Sequence, residues 1–500
     1  MISEMDNITR RQFNLLLLEL VALAYLPGCL KHAPVFGKEA VQAPLVIEDH
    51  GDALMHWAKQ GVADAILVNI DKHDDFRFIA DGKIEELRQI YRKKEWQSFA
   101  NAGKGGDGSL YGIGNWIYAG ARLGVFREAY WVVPFDCFSR ENAEVFLRGF
   151  LEIIHFSDED IRTFHLLDNR FCGIFRGIKV TICGIESLPD ISSPLLLSFC
   201  MDFFPAFSDA YRVSYLTAFS HTFEALYRKK YQIQDAVVSY SVNGDYYLQP
   251  HHRWLGDAVV KILGNPEMIR TPPTELLTLL QQIENDYRSV DGEGMLQLVD
   301  GHLVAYPTAA LFLYKAYAHL LLGNSEKSYL AAIECCRIDR LYSTALPFMG
   351  IMYYTKGNYT VAEKFFRAGV ANNPQMSNGL FQFGHCLRKT GKLREALLVY
   401  EKDAFLQGAF PTQFLVAETH IFLNDPAAAL KALNTAMTAL KKNIYAQVEN
   451  SETAQAMYSL IEFCNKAGFA ENATAMLENP VIRKMFTIYP KRLKGSTLMP

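Results

Sequence analysis

The sequence predicts an α/β domain followed by an all-α solenoid of helical repeats, with an export signal in front of both. Short apolar runs alternate with helix-like stretches between residues 40 and 265, which is typical of an α/β sheet. A second pattern repeats every 34 residues between residues 309 and 444, inside a helical region placed at 273–477. A third is an apolar run behind two arginines within residues 1–29. A chain of 500 residues has room for about three such units.

The composition is that of an ordinary globular protein, with 50% hydrophobic and 21% charged residues. The formal net charge is −4, which gives no electrostatic reason to expect a nucleic acid or an acidic membrane surface as partner. The nine cysteines contain no C-x-x-C pair and no regular spacing. Neither a zinc ribbon nor a disulfide scaffold is therefore expected.

The first thirty residues resemble an export signal. Arg10 and Arg11 precede a largely apolar run from Leu15 to Leu26, and Pro-Gly-Cys29 follows it. The run is too short to span a bilayer, the arginine pair resembles a twin-arginine signal, and the final residues resemble a lipobox in which Cys29 becomes lipidated. We therefore expect an exported protein, periplasmic or held at the membrane by a lipid anchor. The alternative is an N-terminal amphipathic helix packed on the body of a cytoplasmic protein.

The 34-residue period is carried by the turn positions Gly323, Gly357, Gly391 and Asp425. Small residues recur seven positions before the first three turns, as close contact between helices requires, whereas Glu418 departs from this rule. The period is that of tetratricopeptide-type repeats, with units at 309–342, 343–376, 377–410 and 411–444. Stacked units of this kind leave a concave surface that usually binds a peptide or protein. The alternative is a rigid spacer or a dimerisation arm.

Charged side chains follow one of the predicted strands of the α/β domain. Ala65–Ile70 is an apolar run, and Asp71, His73 and Asp75 come directly after it. Because alternate side chains of an extended chain point the same way, these three converge while Lys72 and Asp74 point elsewhere. Two carboxylates and an imidazole beyond the carboxyl end of a strand fit a divalent metal ion, in the crevice where α/β sheets bind ligands. The alternative is a charged surface turn.

Two further candidates lie past other strands. The run Leu195–Phe199 is apolar except for Ser198, yet Asp202 stands just beyond it. An uncompensated buried carboxylate costs several kcal/mol, which a bound cation would offset. His50 follows the short predicted strand Leu45–Ile47. The remaining predicted strands are Tyr130–Val133, Lys179–Ile182 and Ala236–Val242.

Four sequence motifs within residues 44–265 resemble the arginase/deacetylase superfamily, and most closely its branch that includes peptide arginases. The motifs are Glu48-Asp-His50, Asp71-Lys-His-Asp-Asp75, Ile113-Gly-Asn-Trp116 with Tyr130-Trp-Val-Val-Pro134, and Cys200-Met-Asp-Phe-Phe204. The resemblance implies a three-layer α/β/α fold with one or two metal ions, Mn²⁺ in arginases and Zn²⁺ in deacetylases. By position, one ion would be held by His50, Asp71 and Asp75, and the other by Asp71, His73 and Asp202.

Cys200 departs from the arginase pattern, which has an aspartate at this position. Thiolate is a softer ligand and favours zinc over manganese. The set Asp71, His73 and Asp202 is intact and resembles the single-metal site of the deacetylases, so a site with one ion is as plausible as a site with two. Cys200 is equally compatible with a buried structural thiol. A hydrolytic site also needs an acid/base group. The candidates are Asp49, Asp74 and Asp245, with His251 and His252 beyond them.

These features together predict a metal-dependent hydrolase that acts on a C–N bond, in a guanidinium or an amide. The repeats would hold a peptide or protein substrate. The alternative is a non-catalytic binding or scaffold lipoprotein that has a degenerate metal site and acts through its repeats.

Overall fold

The computed structural model describes residues 44–103, 109–135, 137–154, 156–241, 249–266, 268, 274–374, 376, 378–407, 410–442 and 451–488. The predicted export signal, with Cys29, and the acid/base candidate Asp245 lie outside these described residues. No helix within the described ranges combines the length and apolarity needed to cross a bilayer.

The N-terminal domain is built on one sheet of eight strands in the spatial order β1-β8-β7-β2-β3-β6-β5-β4. The strands are β1 Leu45–Ile47, β2 Ala65–Ile70, β3 Phe126–Val132, β4 His165–Leu167, β5 Arg170–Phe175, β6 Ile178–Cys183, β7 Leu195–Cys200 and β8 Ile233–Ser239. The strands from β1 to β6 in this order pair in parallel, and β5 and β4 add an antiparallel edge.

Helices cover both faces of this sheet. They are α1 Asp52–Lys59, α2 Asp81–Lys93, α3 Trp96–Ala102, α4 Trp116–Leu123, α5 Ala143–Ile153, α6 Asp158–Thr163, α7 Phe203–Tyr211, α8 Tyr215–Arg228 and α9 Arg253–Gly264. Alternate residues of β2 serve the two faces. Leu67 packs into the apolar cluster beneath α1–α6, and Ile66 and Val68 pack into the cluster beneath α7–α9. The domain therefore has three layers, as a parallel sheet with both faces buried requires.

The rest of the described chain is helical. The helices are α10 Glu275–Arg288, α11 Gly292–His302, α12 Ala309–Leu321, α13 Ser325–Ile338, α14 Ala345–Thr355, α15 Tyr359–Asn372, α16 Leu380–Lys389, α17 Leu393–Gln407, α18 Phe410–Phe422, α19 Pro426–Lys442, α20 Ser451–Lys466, α21 Ala470–Glu478 and α22 Pro480–Ile488. Consecutive helices pack against each other from α10 to α19, α20 packs against α18, and α21 and α22 follow on from α20. The prediction of an α/β domain followed by helical repeats is confirmed at this level.

The turns inside the helix pairs explain the repeated glycines. Gly323, Gly357 and Gly391 have φ of 76°, 73° and 77°, a left-handed conformation that favours glycine. In the fourth pair Asn424 takes this conformation, with φ 59°, one residue before the predicted Asp425. The carboxylate of Asp425 instead accepts a hydrogen bond from the amide of Ala428 and caps α19.

The small residues of the first helices mark places where two helices touch. A Cβ added to Gly384 would lie 2.5 Å from the ring of Tyr400 in α17. Glu418, the exception in the repeat pattern, is 2% exposed and accepts a hydrogen bond from Arg388 of the preceding pair. A charged side chain is tolerated there because its partner is a guanidinium.

Candidate metal centre

A pocket of about 420 Å³, including the solvent at its mouth, lies at the carboxyl ends of the central strands. Strands β2 and β7 are neighbours at the centre of the sheet. The chain continues from β2 to β3 on one side of this pair, and from β7 to β8 on the other side. This is a topological switch point, where open α/β sheets bind their ligands. The pocket is lined by His50, Asp71, His73, Asp74, Asp75, Arg77, Ile113, Gly114, Cys200, Asp202 and Ser241.

The first cluster in the pocket joins the ends of β2 and β7. His73 Nδ1 lies 2.8 Å from Asp202 Oδ2 and 3.7 Å from Asp71 Oδ1. The backbone amide of His73 donates to the same oxygen of Asp71 at 2.7 Å, which fixes that carboxylate. Asp71 and Asp202 are almost completely buried, while the side chain of His73 is 38% exposed. The cluster is thus buried on the protein side and open on the imidazole side.

The second cluster is centred on His50, which follows β1. Its Nδ1 lies 2.9 Å from Asp71 Oδ2 and 3.1 Å from Asp75 Oδ2. Its Nε2 lies 2.6 Å from the hydroxyl of Ser198, so the ring is held from both ends. Trp116 Nε1 donates to Asp75 Oδ2 at 2.7 Å. The two clusters share Asp71.

Cys200 lies at the end of β7 beside these clusters. Its sulfur is 3.3 Å from the hydroxyl of Ser241, which also contacts Ser239 at 2.9 Å. Ser241 and Asp75 have φ of 49° and 55°, which is unusual for non-glycine residues and concentrates at functional sites.

The buried charges shift the proton affinities of the cluster. Burial and the charges of Asp202 and Asp75 raise the pKa of Asp71 to about 7. Burial opposes a charge on His50, but hydrogen bonds to Asp71 and Asp75 outweigh it and raise its pKa to about 10. Burial also disfavours the charged forms of His73 and Asp202. The hydrogen bond between these two side chains outweighs burial, so the pKa of His73 is raised and that of Asp202 is lowered.

Two sets of side chains in the pocket have ligand atoms close enough to share one ion. Within each of the sets Asp71/His73/Asp202 and His50/Asp71/Cys200 the ligand atoms lie within 4.8 Å of one another, among the residues that the structure describes. Asp202 Oδ1 is buried without a hydrogen-bond partner, as is expected of an oxygen that is a ligand of a cation. Carboxylate, imidazole and thiol groups fit Zn²⁺, and the carboxylates also fit Mn²⁺.

The acid/base candidates differ in their relation to the pocket. Asp74 lines it, although alternation along an extended chain predicted that Asp74 points away. Strand β2 ends at Ile70 and the following segment is irregular, so the alternation does not continue. Burial raises the pKa of Asp74 to about 6. Asp49, whose pKa burial also raises to about 6, accepts from the amide of Gly51 and is not among the lining residues.

His251 and His252 lie away from the pocket. They form a short turn, Pro250–His252, between the sheet domain and the helical stack, and both contact the carboxylate of Glu284 in α10. Sequence reasoning also missed Arg77 and Ser241, which line the pocket. Arg77 stands two residues after Asp75, a position that could have indicated it. Ser241 is placed by β8 and has no comparable signal.

The pocket is connected to the helical stack by a buried arginine. Arg253, at the start of α9, donates to Glu48 Oε1 at 2.6 Å, two residues before His50. Its guanidinium lies 4.3 Å from the ring centre of Tyr240 and 5.7 Å from that of Tyr342. Tyr342 belongs to the turn between α13 and α14. The side chain of Arg253 therefore lies between Tyr342 of the first repeat and Glu48, which is two residues before His50.

Comparisons with known proteins find only distant structural likenesses, each over about a third of the chain. No family model matches this chain, and no curated protein matches it. The crystal structure of MamA aligns with 32% of this chain and 95% of its own, at 15% identity and a TM-score of 0.27. The crystal structure of YrrB, described as a TPR protein with an unusual peptide-binding site, aligns with 32% of this chain and 84% of its own, at 16% identity and a TM-score of 0.26. Likenesses at these TM-scores do not bear on function, and the arginase/deacetylase resemblance stays a prediction.

Proposed function

We propose that the α/β domain is a metal-dependent hydrolase of C–N bonds and that the helical stack holds its peptide or protein substrate. One observation carries this proposal. Asp71, His73 and Asp202 meet at the switch point of the sheet, in a pocket open to solvent on the side of His73. A partly exposed set of ligands is typical of catalytic metal sites, which keep one position for water or substrate.

A bound divalent ion would supply a water molecule of lowered pKa that attacks a planar carbon such as guanidinium or amide. Asp74 lines the pocket, and burial raises its pKa to about 6. A carboxylate with a pKa close to neutral pH can accept a proton from the attacking water. Arg77 stands at the exposed rim of the same pocket, where its guanidinium can orient an acidic group of the substrate. His50 and Ser198 hold Asp71 in place.

The proximity of the first repeat supports a polypeptide substrate. Tyr342 packs on Arg253, and Arg253 binds Glu48 beside the pocket. A peptide held by the stack would face the pocket at an effective concentration on the order of millimolar. The resemblance to peptide arginases points to the same class of substrate.

The test uses the full-length protein dialysed against Mn²⁺ or Zn²⁺. Arginine-containing peptides, acylated peptides and free arginine are incubated with it, and the masses of the products are determined by mass spectrometry. We expect a mass change in one peptide class, abolished in Asp71→Ala and retained in Asp235→Asn. Asp235 is the matched control because it pairs with His56 at 2.8 Å in the same domain and is not among the residues lining the pocket. Metal-loaded protein that turns over none of the three substrates would contradict the proposal.

A non-catalytic scaffold is the second candidate, and the environment of Cys200 favours it. Burial and the charges of Asp202 and Asp71 raise the pKa of this thiol well above its ordinary value, and Ser241 contacts its sulfur. A neutral, satisfied thiol at this position would mark a site that has lost a metal-binding carboxylate. The scaffold interpretation expects turnover to be absent in the wild type and to appear in Cys200→Asp. Turnover in the wild type that falls in Cys200→Asp would support the hydrolase.

A further inference from the structure

A second cluster of potential metal ligands lies where the sheet domain meets the helical stack. His251 and His252 of the turn after β8 face Glu284 of α10, and we call these three residues the seam cluster. They are 0%, 6% and 1% exposed, so the seam cluster is closed to solvent. It is also separate from the pocket, which none of its members lines.

The distances within the seam cluster are those of ligands around a common ion. His251 Nε2 lies 3.5 Å from Glu284 Oε2, and His252 Nε2 lies 3.5 Å from Oε1 of the same carboxylate. Nitrogen–oxygen hydrogen bonds are usually about 2.7–3.2 Å long, so these contacts are too long to be good ones. Two ligands at about 2.0–2.1 Å from a tetrahedral zinc ion lie roughly 3.3 Å apart. Ligand atoms from all three residues fall within 4.8 Å of one another.

His251 has unsatisfied ring nitrogens. Neither its Nδ1 nor its Nε2 has a hydrogen-bond partner in the structure as described, and Nδ1 of His252 has none. A buried polar atom without a partner destabilises the fold, so such a histidine needs an explanation.

The surroundings orient the carboxylate of Glu284. The hydroxyl of Tyr314 in α12 donates to Oε2 at 2.8 Å, and Arg288 Nε donates to Oε1 at 3.1 Å. Hydrogen bonds of this kind fix the direction of a carboxylate ligand and are typical of the surroundings of metal sites. The hydroxyl of Tyr215 lies 2.9 Å from His252 Nε2 and also donates to Glu284 Oε1 at 3.3 Å.

We propose that the seam cluster binds one zinc-class divalent ion, as a closed structural site that joins the sheet domain to the helical stack. Imidazole and carboxylate ligands suit Zn²⁺, and structural zinc sites are closed, whereas catalytic ones stay open. The ion ties the turn after β8 to α10, and through Tyr314 to the first repeat. This role is independent of hydrolysis in the pocket.

The test starts from full-length Asp71→Ala, in which the pocket ligands are incomplete. We expect this protein to retain one zinc ion per chain. X-ray absorption at the zinc edge should report two imidazole ligands, since the seam cluster offers two histidines, whereas each set in the pocket offers one. The spectrum needs no change in the seam cluster, so it decides the matter even if seam variants do not fold. Asp71→Ala protein without zinc above the buffer after dialysis against Zn²⁺, or with a single imidazole ligand, would overturn the proposal.

Variants then locate the ion. His251→Asn and His252→Asn in the Asp71→Ala background should each lose the zinc and the rise in thermal midpoint that zinc gives the parent. His385→Asn is the matched control, because His385 is a buried histidine of the stack whose Nδ1 has no partner and which belongs to none of the ligand sets found among the described residues. It should keep the full zinc content. Equal zinc in the folded seam variants and the control would place the ion elsewhere and contradict the proposal, leaving an ion pair of Glu284 with Arg288.

Discussion

The pocket and the seam cluster use the same residue types in opposite ways. In the pocket three aspartates, Asp71, Asp75 and Asp202, crowd around two histidines, and the side chain of His73 is 38% exposed. In the seam cluster one glutamate faces two histidines, Arg288 balances its charge, and all three members are buried. An open site with excess negative charge can exchange water and substrate, whereas a closed and balanced one cannot. This difference is why we propose a catalytic role for the pocket and a structural role for the seam cluster.

The helical stack and the α/β domain also share one hydrophobic core. One apolar cluster runs without interruption from β2 and β7 through α8 and α10 into the repeats. Removing residues 309–444 would expose that face as well as remove the stack. Point substitutions therefore separate the roles of the two regions better than truncation does.

The largest effect should come from removing the ligand that both pocket clusters share. Asp71→Ala removes a carboxylate oxygen from each set of ligands. If the pocket is catalytic, turnover should fall on the order of 10³-fold or more, because metal activation of water contributes several kcal/mol. Steady-state rates at saturating metal measure this, with Asp235→Asn as the control. A folded Asp71→Ala protein with wild-type rates would remove the pocket from the mechanism.

Metal affinity of the pocket should depend strongly on pH. With its pKa raised to about 7, Asp71 holds a proton below pH 7 in the metal-free protein, and the metal must displace it. Affinity should therefore fall by a factor that approaches ten per pH unit below pH 7, or about 50-fold from pH 7 to pH 5. Isothermal titration with Mn²⁺ at several pH values measures this. A flat profile would show that Asp71 is not a ligand.

The metal-free chain should show the reverse trend in stability. Both Asp71 and His50 have a raised pKa in the folded state, so each favours folding at low pH. The contribution of Asp71 is lost as pH rises from about 4 to about 7, and that of His50 as pH rises through about 10. Urea unfolding in a chelator, with Asp71→Asn for comparison, should show a smaller loss between pH 4 and pH 7 in the variant. The same loss in both proteins would contradict this origin.

Breaking the connection between the pocket and the stack should cost less. Arg253→Met removes the guanidinium that binds Glu48 and that lies over the ring of Tyr240. We expect about 2 kcal/mol of destabilisation, below the full cost of a broken buried pair because Glu48 is 29% exposed. Arg127→Met is the control, since its pair with Asp64 is exposed and should contribute less than about 1 kcal/mol. Equal losses in urea unfolding would show that Arg253 does not couple the two regions.

The smallest effect should lie in the repeat turns. Gly357→Ala places a side chain at φ 73° and should destabilise the protein by about 1 kcal/mol. Gly301→Ala is the control, because Gly301 is helical and a Cβ there meets nothing within 4 Å. Alanine should stabilise that helix by up to about 1 kcal/mol. Thermal unfolding that shows the same change in both variants would contradict the role of the turn.

The parallel strands could be predicted because their apolar runs are buried on both faces, as Leu195–Phe199 illustrates. The antiparallel edge was missed, because β4 has only three residues and the apolar run of β5 is interrupted by Gly173. Their turn, Asp168-Asn169, has both residues at positive φ, and this dipeptide was the available signal for a hairpin. The last repeat turn was predicted at Asp425, one residue after the left-handed residue Asn424. The spacing of the repeats alone does not distinguish a left-handed residue from the residue that caps the next helix.

The pocket was predictable where a ligand follows a strand, as Asp71 and Asp202 do. It was not predictable where the loop conformation decides, as for Asp74, which an extended chain would direct elsewhere. The seam cluster lay further out of reach, because His252 and Glu284 are 32 residues apart and meet only through packing of the stack. Adjacent histidines after a strand gave the partial signal.

Crystals of the full-length protein soaked in Mn²⁺ or Zn²⁺, with diffraction measured at each metal's absorption edge, test the central claim most directly. The proposed metal centre predicts an anomalous peak between Asp71, His73 and Asp202, within about 2.0–2.2 Å of one atom from each. The seam cluster should give a second, separate peak with zinc. Maps with no peak at the carboxyl ends of β2 and β7 for both metals would contradict the claim.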